Sequence, residues 1–139
     1  MRLDLYQAET ARIAAEQKAL LNAARSIIDS GKPLSALEQS GVLHALQIII
    51  ENAIGKAKHR LKAKNQPVPV SAYDTFQALA NINAISQDKL PEWNAVIGLR
   101  NRIVHDYMNI EFEQIVSLIK KAREQFIIDF LLEQERGNE

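Results

Sequence analysis

Arg100-Asn101-Arg102-Ile103-Val104-His105-Asp106-Tyr107 places an arginine, a histidine and a tyrosine in an otherwise apolar helical segment. Trp93, Val96 and Ile97 precede them and Val104 and Met108 accompany them; at roughly 100° per residue these five side chains share one broad stripe. Arg100 and Tyr107 fall inside that stripe, nearly eclipsed, while His105 is turned about 140° from Arg100. A guanidinium on a core-facing stripe is costly unless it is paired or opens onto a wet cleft. Asn94, Gly98, Asn101 and His105 form a second, polar row beside the first. Pattern alone leaves two readings open. Either this helix carries a site, or Arg100 snorkels or pairs with Glu51 and Tyr107 is an ordinary half-buried residue.

Working outward, the chain reads as helical throughout, in five segments with no strand. Leu3, Tyr6, Ile13, Leu20, Ala24 and Ile27 keep a helical period that Ser30-Gly31-Lys32-Pro33 stops. Ser35 with Glu38 three residues on is a capping box for a second helix running to about Lys64. Its buried face is Val42, Leu43, Leu46, Ile49, Ile50, Ala53, Ala57 and Leu61. Pro67 and Pro69 make the next stretch an extended crossover, and Ser71 or Asp74 opens a third helix through Phe76, Leu79, Ala80 and Ile82. The fourth helix begins near Leu90-Pro91. After a turn at Asn109-Ile110-Glu111, one last helix carries Phe112, Ile115, Val116, Ile119, Phe126, Ile127, Phe130 and Leu131. Residues 126–132 are apolar nearly all round, which suits either a dimerising helix or one at the centre of the monomer. Residues 133–139 read as a frayed tail.

Composition removes alternatives. The chain has 139 residues, 47% of them hydrophobic, which is enough for one core and too few for two ordinary domains, so residues 1–139 are taken as a single domain. With no cysteine there is neither a disulfide framework nor a thiolate ligand or nucleophile. The apolar runs are short, and Arg2 and Asp4 interrupt the start where a signal peptide needs a long apolar run, so a soluble cytoplasmic protein without membrane contact is expected. Seventeen basic and 17 acidic residues give zero net charge, leaving only a local patch for nucleic acid. Lys56, Lys58, His59, Arg60, Lys62 and Lys64 are the candidate patch; the plainer reading is a solvated helix end whose cations complement the helix dipole. His44, His59 and His105 lack short ligand spacing, so no metal is assigned.

Arginine, histidine and tyrosine together suit cleavage of an RNA phosphodiester. That reaction needs a base for the 2′-hydroxyl, an acid for the leaving 5′-oxygen and positive charge at the phosphorus. With one histidine in the motif, the acid and base roles call for a second copy, another residue or water; a two-fold dimer apposing two copies of the fourth helix would supply two histidines and two arginines.

Arg100, four residues, His105, one residue, Tyr107 resembles the R-x4-H-x-Y signature of HEPN-domain toxins, and Arg100-Asn101 with Val104-His105 resembles their HepT branch. His44-Ala45-Leu46-Gln47 with Glu51, the Pro67-Val68-Pro69 crossover and the Phe76–Leu79 helix are similar in the same order, over about nine-tenths of the chain. The resemblance implies an all-α, antiparallel four-to-five-helix bundle. Such a bundle would be homodimeric and would act as a metal-independent endoribonuclease without a cofactor, the toxin of a toxin–antitoxin pair. The implied partners are RNA and an MNT-type nucleotidyltransferase antitoxin that transfers AMP to Tyr107, in a homodimer or a larger hetero-oligomer with that antitoxin. Arg100 would bind phosphate and the transition state, His105 would be general acid/base, and Asn101 would orient His105. Gln47 and Glu51, one turn apart on the second helix, would support the site, with Glu51 holding Arg100 or His105. The competing expectations are a non-catalytic module that binds nucleotide or a nucleotidyltransferase, and a purely structural dimer.

Overall fold

Where these helices stop decides how they pack. The computed structural model describes residues 3–134, with side chains from Leu5 onward. It contains α1 (Leu3–Asp29), α2 (Ala36–Ala63), α3 (Ala72–Asn81), α4 (Leu90–His105), α5 (Phe112–Lys120) and α6 (Gln125–Leu132), and no strand among the described residues. Four of the six end in the same hydrogen-bond pattern, in which one residue past the cap adopts a left-handed conformation and two amides reach back to orphaned carbonyls. Gly31 (φ +84°) plays that part after α1, Asn65 (57°) after α2, Asn83 (59°) after α3 and Ala122 (53°) after α5. In the last case the Ala122 and Arg123 amides donate to the Ile119 and Leu118 carbonyls, at 3.0 and 2.9 Å.

The break at Ala122 corrects the expectation of a single last helix. Alanine is the best helix former and the sequence carries no stop signal there, yet continuing straight on would carry residues 126–132 away from the core. Arg25 of α1 holds the break: its Nε donates to the Ile119 carbonyl (2.8 Å) and its guanidinium pairs with the buried Glu124 carboxylate. The chain then returns, and α6 packs against both α1 and α2. Its all-round apolar character is satisfied inside the chain, with Ile127, Ile128, Phe130 and Leu131 all buried. The dimer expectation therefore draws no support from α6.

The capping box at Ser35 and Glu38 forms as expected, and every residue expected on the buried face of α2 is buried. α1 differs slightly: it buries Ala14, Leu21 and Ala24, while Leu20 is 40% exposed. One apolar core joins all six helices, centred on Phe76, Trp93, Phe126 and Phe130, whose rings stack or meet edge-on at 4.3–6.0 Å.

Two members of the expected basic patch prove to be internal. Lys56 is 1% exposed and Arg60 5%. Lys56 Nζ donates to the carbonyls of Phe130 (2.6 Å), Leu131 (3.4 Å) and Glu133, terminating α6 with a cation where its dipole is negative. Arg60 reaches the Ala84 carbonyl and the Glu133 carboxylate, and both cations sit over the Phe130 ring. These side chains cap a helix and are not available to nucleic acid. Glu133, expected in the frayed tail, is engaged by both, and residues 135–139 of that tail lie outside the described residues. No helix among the described residues is long and apolar enough to cross a membrane.

Candidate active site at the end of α4

α4 buries Trp93, Val96, Ile97, Leu99 and Ile103. It runs antiparallel to α2. Trp93 meets Phe130, which is held by Lys56 and Arg60 at one end of α2, and the Tyr107 hydroxyl lies 3.5 Å from Ser40 Oγ at the other. At about 1.5 Å per residue, Arg100 falls midway, level with the Gln47–Glu51 stretch.

Arg100 is half-buried on the inner side of α4, and its Nε is fully buried with no hydrogen-bond partner. None of the salt bridges or hydrogen bonds among the described residues involves its guanidinium. The expected Arg100–Glu51 pair does not form. Glu51 is exposed and accepts a long bond from Gln47 Nε2 (3.4 Å), because the two lie one turn apart on the same face of α2. A buried guanidinium N–H without an acceptor is a costly arrangement.

The expected stripe stops early. α4 ends at His105; Asp106 leaves helical geometry (φ −144°, ψ 39°), and Tyr107–Asn109 forms a single 3-10 turn. The Asp106 carboxylate accepts from Asn109 Nδ2 (2.6 Å), which closes the turn. Tyr107 is therefore not stacked beneath Arg100 as a continuous helix would have it. It swings out to 46% exposure, and Val104 (43%) and Met108 (90%) are surface residues too. Leu37, 83% exposed, lies one turn before Ser40, which the Tyr107 hydroxyl reaches.

His105 is exposed at the helix end on the outer row with Asn94, Gly98 and Asn101. No side-chain hydrogen bond joins Arg100, Asn101, His105 and Tyr107 to one another among the described residues. One chain thus brings together the half-buried cation and the exposed imidazole and phenol at one end of a helix, without making them converge. Sequence reasoning passed over two neighbours. Ser40 receives the Tyr107 hydroxyl, and its signal was its place in the row Ser40, His44, Gln47, Glu51 at alternating spacings of four and three. Tyr73 of α3 lies over the outer row: a Cβ on Gly98 would stand 3.5 Å from its hydroxyl. No group of three or more metal-ligating side chains occurs among the described residues.

The chain is 32% identical over 88 residues to the mRNA nuclease HepT of Shewanella oneidensis, a match spanning 63% of this chain and 66%, just under two thirds, of that relative. Its fold is similar to that of a crystallised toxin–antitoxin with AMP-PNP (TM-score 0.71, 24% identity, 94% of this chain and 99% of that one). It is equally similar to a tri-AMPylated Shewanella oneidensis HEPN toxin in complex with an MNT antitoxin (TM-score 0.71, 24% identity, 94% and 98%). The profile of the family described as Ribonuclease HepT-like matches residues 19–131, four-fifths of the chain, so this protein belongs to the HepT-like family.

Proposed function

We propose that the protein is an endoribonuclease, the toxin of a toxin–antitoxin pair, which cleaves RNA without a metal or cofactor in a cleft between two copies of α4. The observation that carries this reading is the buried, unpartnered Nε of Arg100, a guanidinium donor without an acceptor, on the same helix as an exposed His105. Membership of the HepT-like family and the likeness to a relative named as an mRNA nuclease support it.

In the proposed reaction one His105 takes the proton of a 2′-hydroxyl, whose oxygen attacks the adjacent phosphorus. The P–O5′ bond breaks, the partner copy's imidazolium protonates the leaving oxygen, and a 2′,3′-cyclic phosphate remains. Arg100 from each copy lies against the non-bridging oxygens, where charge accumulates. Asn101, one turn before His105, orients the imidazole, and Gln47, with Glu51 behind it, borders the cleft from α2. The dimer supplies the second histidine that one chain lacks, and the exposed Leu37, Val104, Tyr107 and Met108 are the apolar surface for that contact.

Tyr107 is the silencing point. Its exposed hydroxyl would attack the α-phosphate of ATP held by an MNT-type nucleotidyltransferase antitoxin, losing its proton and releasing pyrophosphate. The attached AMP places negative charge and bulk beside Arg100 and His105, repelling the substrate phosphate. The likeness to a tri-AMPylated toxin complexed with its antitoxin supports this assignment. The test is incubation of the purified chain with RNA in chelator: cleavage leaving 2′,3′-cyclic ends, lost in Arg100→Ala and His105→Ala at unchanged melting temperature, is expected. Equal cleavage by all three proteins would overturn the site.

A further inference from the structure

The outer row of α4 has one gap, at Gly98, and Tyr73 fills it. Tyr73 stands in the first turn of α3, 42% exposed, with its hydroxyl against Gly98. The hydroxyl makes no hydrogen bond and the ring meets no other aromatic side chain among the described residues, although Phe76, one turn on, stacks on Trp93 in the core. A second element lies beside it. Lys58 Nζ donates to the Val70 carbonyl (2.9 Å), three residues before Tyr73, and its other two N–H groups have no partner among the described residues. The crossover before Tyr73 is open, with Val68 42% and Val70 93% exposed. An aromatic ring whose hydroxyl end lies against Gly98, on the same segment as the carbonyl that tethers a lysine ammonium with spare donors, is the minimal arrangement for holding one unpaired nucleotide.

We propose that Tyr73 is a stacking platform for an RNA base and that Lys58 contacts the phosphate adjoining that base, so that together they set which phosphodiester reaches His105. The proposal rests on the ribonuclease reading above. Gly98 and His105 share the outer row and are two turns apart, about 10 Å along the axis. A base on Tyr73 therefore lies within a nucleotide or two of the cleaved bond. Stacking accepts any base, so Tyr73 fixes the register of cleavage and the requirement for an unpaired nucleotide, not a base identity.

The test uses the full chain and a short single-stranded oligoribonucleotide with 2-aminopurine placed in turn on each side of the cleaved bond. For Tyr73→Leu, KM should rise about tenfold with kcat within twofold, as the loss of one stacked base requires. Quenching of 2-aminopurine at one position should disappear, measured in a His105→Ala background to prevent turnover. Tyr73→Phe and Tyr73→Trp should retain both. Lys58→Gln should weaken binding and flatten its logarithmic salt dependence by about one unit. Wild-type cleavage with KM, cut position and quenching unchanged in Tyr73→Leu would overturn this proposal alone. Equal losses in Leu, Phe and Trp would also overturn it, since a structural role does not distinguish stacking from packing. Absence of cleavage by the wild-type chain would instead remove the ribonuclease reading, and this one with it.

Discussion

Replacing Lys56 by methionine separates a structural cation from a nucleic-acid contact. Methionine keeps the apolar stem and stops one atom short of Nζ, and three carbonyls at the end of α6, those of Phe130, Leu131 and Glu133, lose their donor. Each acceptor left buried and unmet costs about 1–3 kcal/mol, while relieving the ammonium of its desolvation returns part of that. A net loss of about 3 kcal/mol follows. Unfolding entropy of about 2.1 cal/mol/K per residue gives roughly 0.3 kcal/mol/K for a chain of this length, so Tm should fall by about 10 °C. Lys58→Met, which frees one carbonyl on an open segment, should cost under about 1 kcal/mol. Differential scanning calorimetry at matched protein concentration reads both. A Lys56→Met protein melting within about 2 °C of wild type would refute the burial argument and return Lys56 to the surface patch.

Ala122→Gly removes the Cβ from a left-handed residue at the α5–α6 break and should raise stability by roughly 1 kcal/mol, about 3 °C in Tm; a fall would mean that the two segments form one helix in solution. Arg25→Ala leaves the Glu124 carboxylate buried without its cation, and urea titration should show a loss of about 3–5 kcal/mol, largely restored by adding Glu124→Leu; strictly additive losses would deny the pair. Tyr107→Phe should keep RNA cleavage within a few-fold while gaining no AMP mass when incubated with ATP and the cognate nucleotidyltransferase. An adduct that persists in that variant would place the acceptor elsewhere.

The helices and their starts were legible because their signals are local. Ser35 with Glu38, Ser71 and Leu90-Pro91 each act within one turn, and the α2 core face follows its period to the residue. What escaped depends on contacts distant in sequence. Ala122 adopts a conformation its own residue type disfavours because Arg25, nearly a hundred positions earlier, fixes the turn. Lys56 and Arg60 look like solvated charge on a helical wheel and are internal because α6 ends against them. The motif was visible as residue types, but its geometry was not: continuing the helix through Tyr107 hid the turn at Asp106 that brings the phenol to Ser40. The Arg100–Glu51 pair failed for a similar reason, since Gln47 on Glu51's own helix is the nearer partner.

Arg100 and His105 together are expected to make this chain toxic by cutting RNA. Growth after induced expression of wild type, Arg100→Ala and His105→Ala, with soluble protein and dimer mass measured alongside, tests it most directly. Arrested growth and degraded cellular RNA are expected for wild type only, at equal folded dimer in all three. Equal growth of the three strains at equal protein level would contradict it.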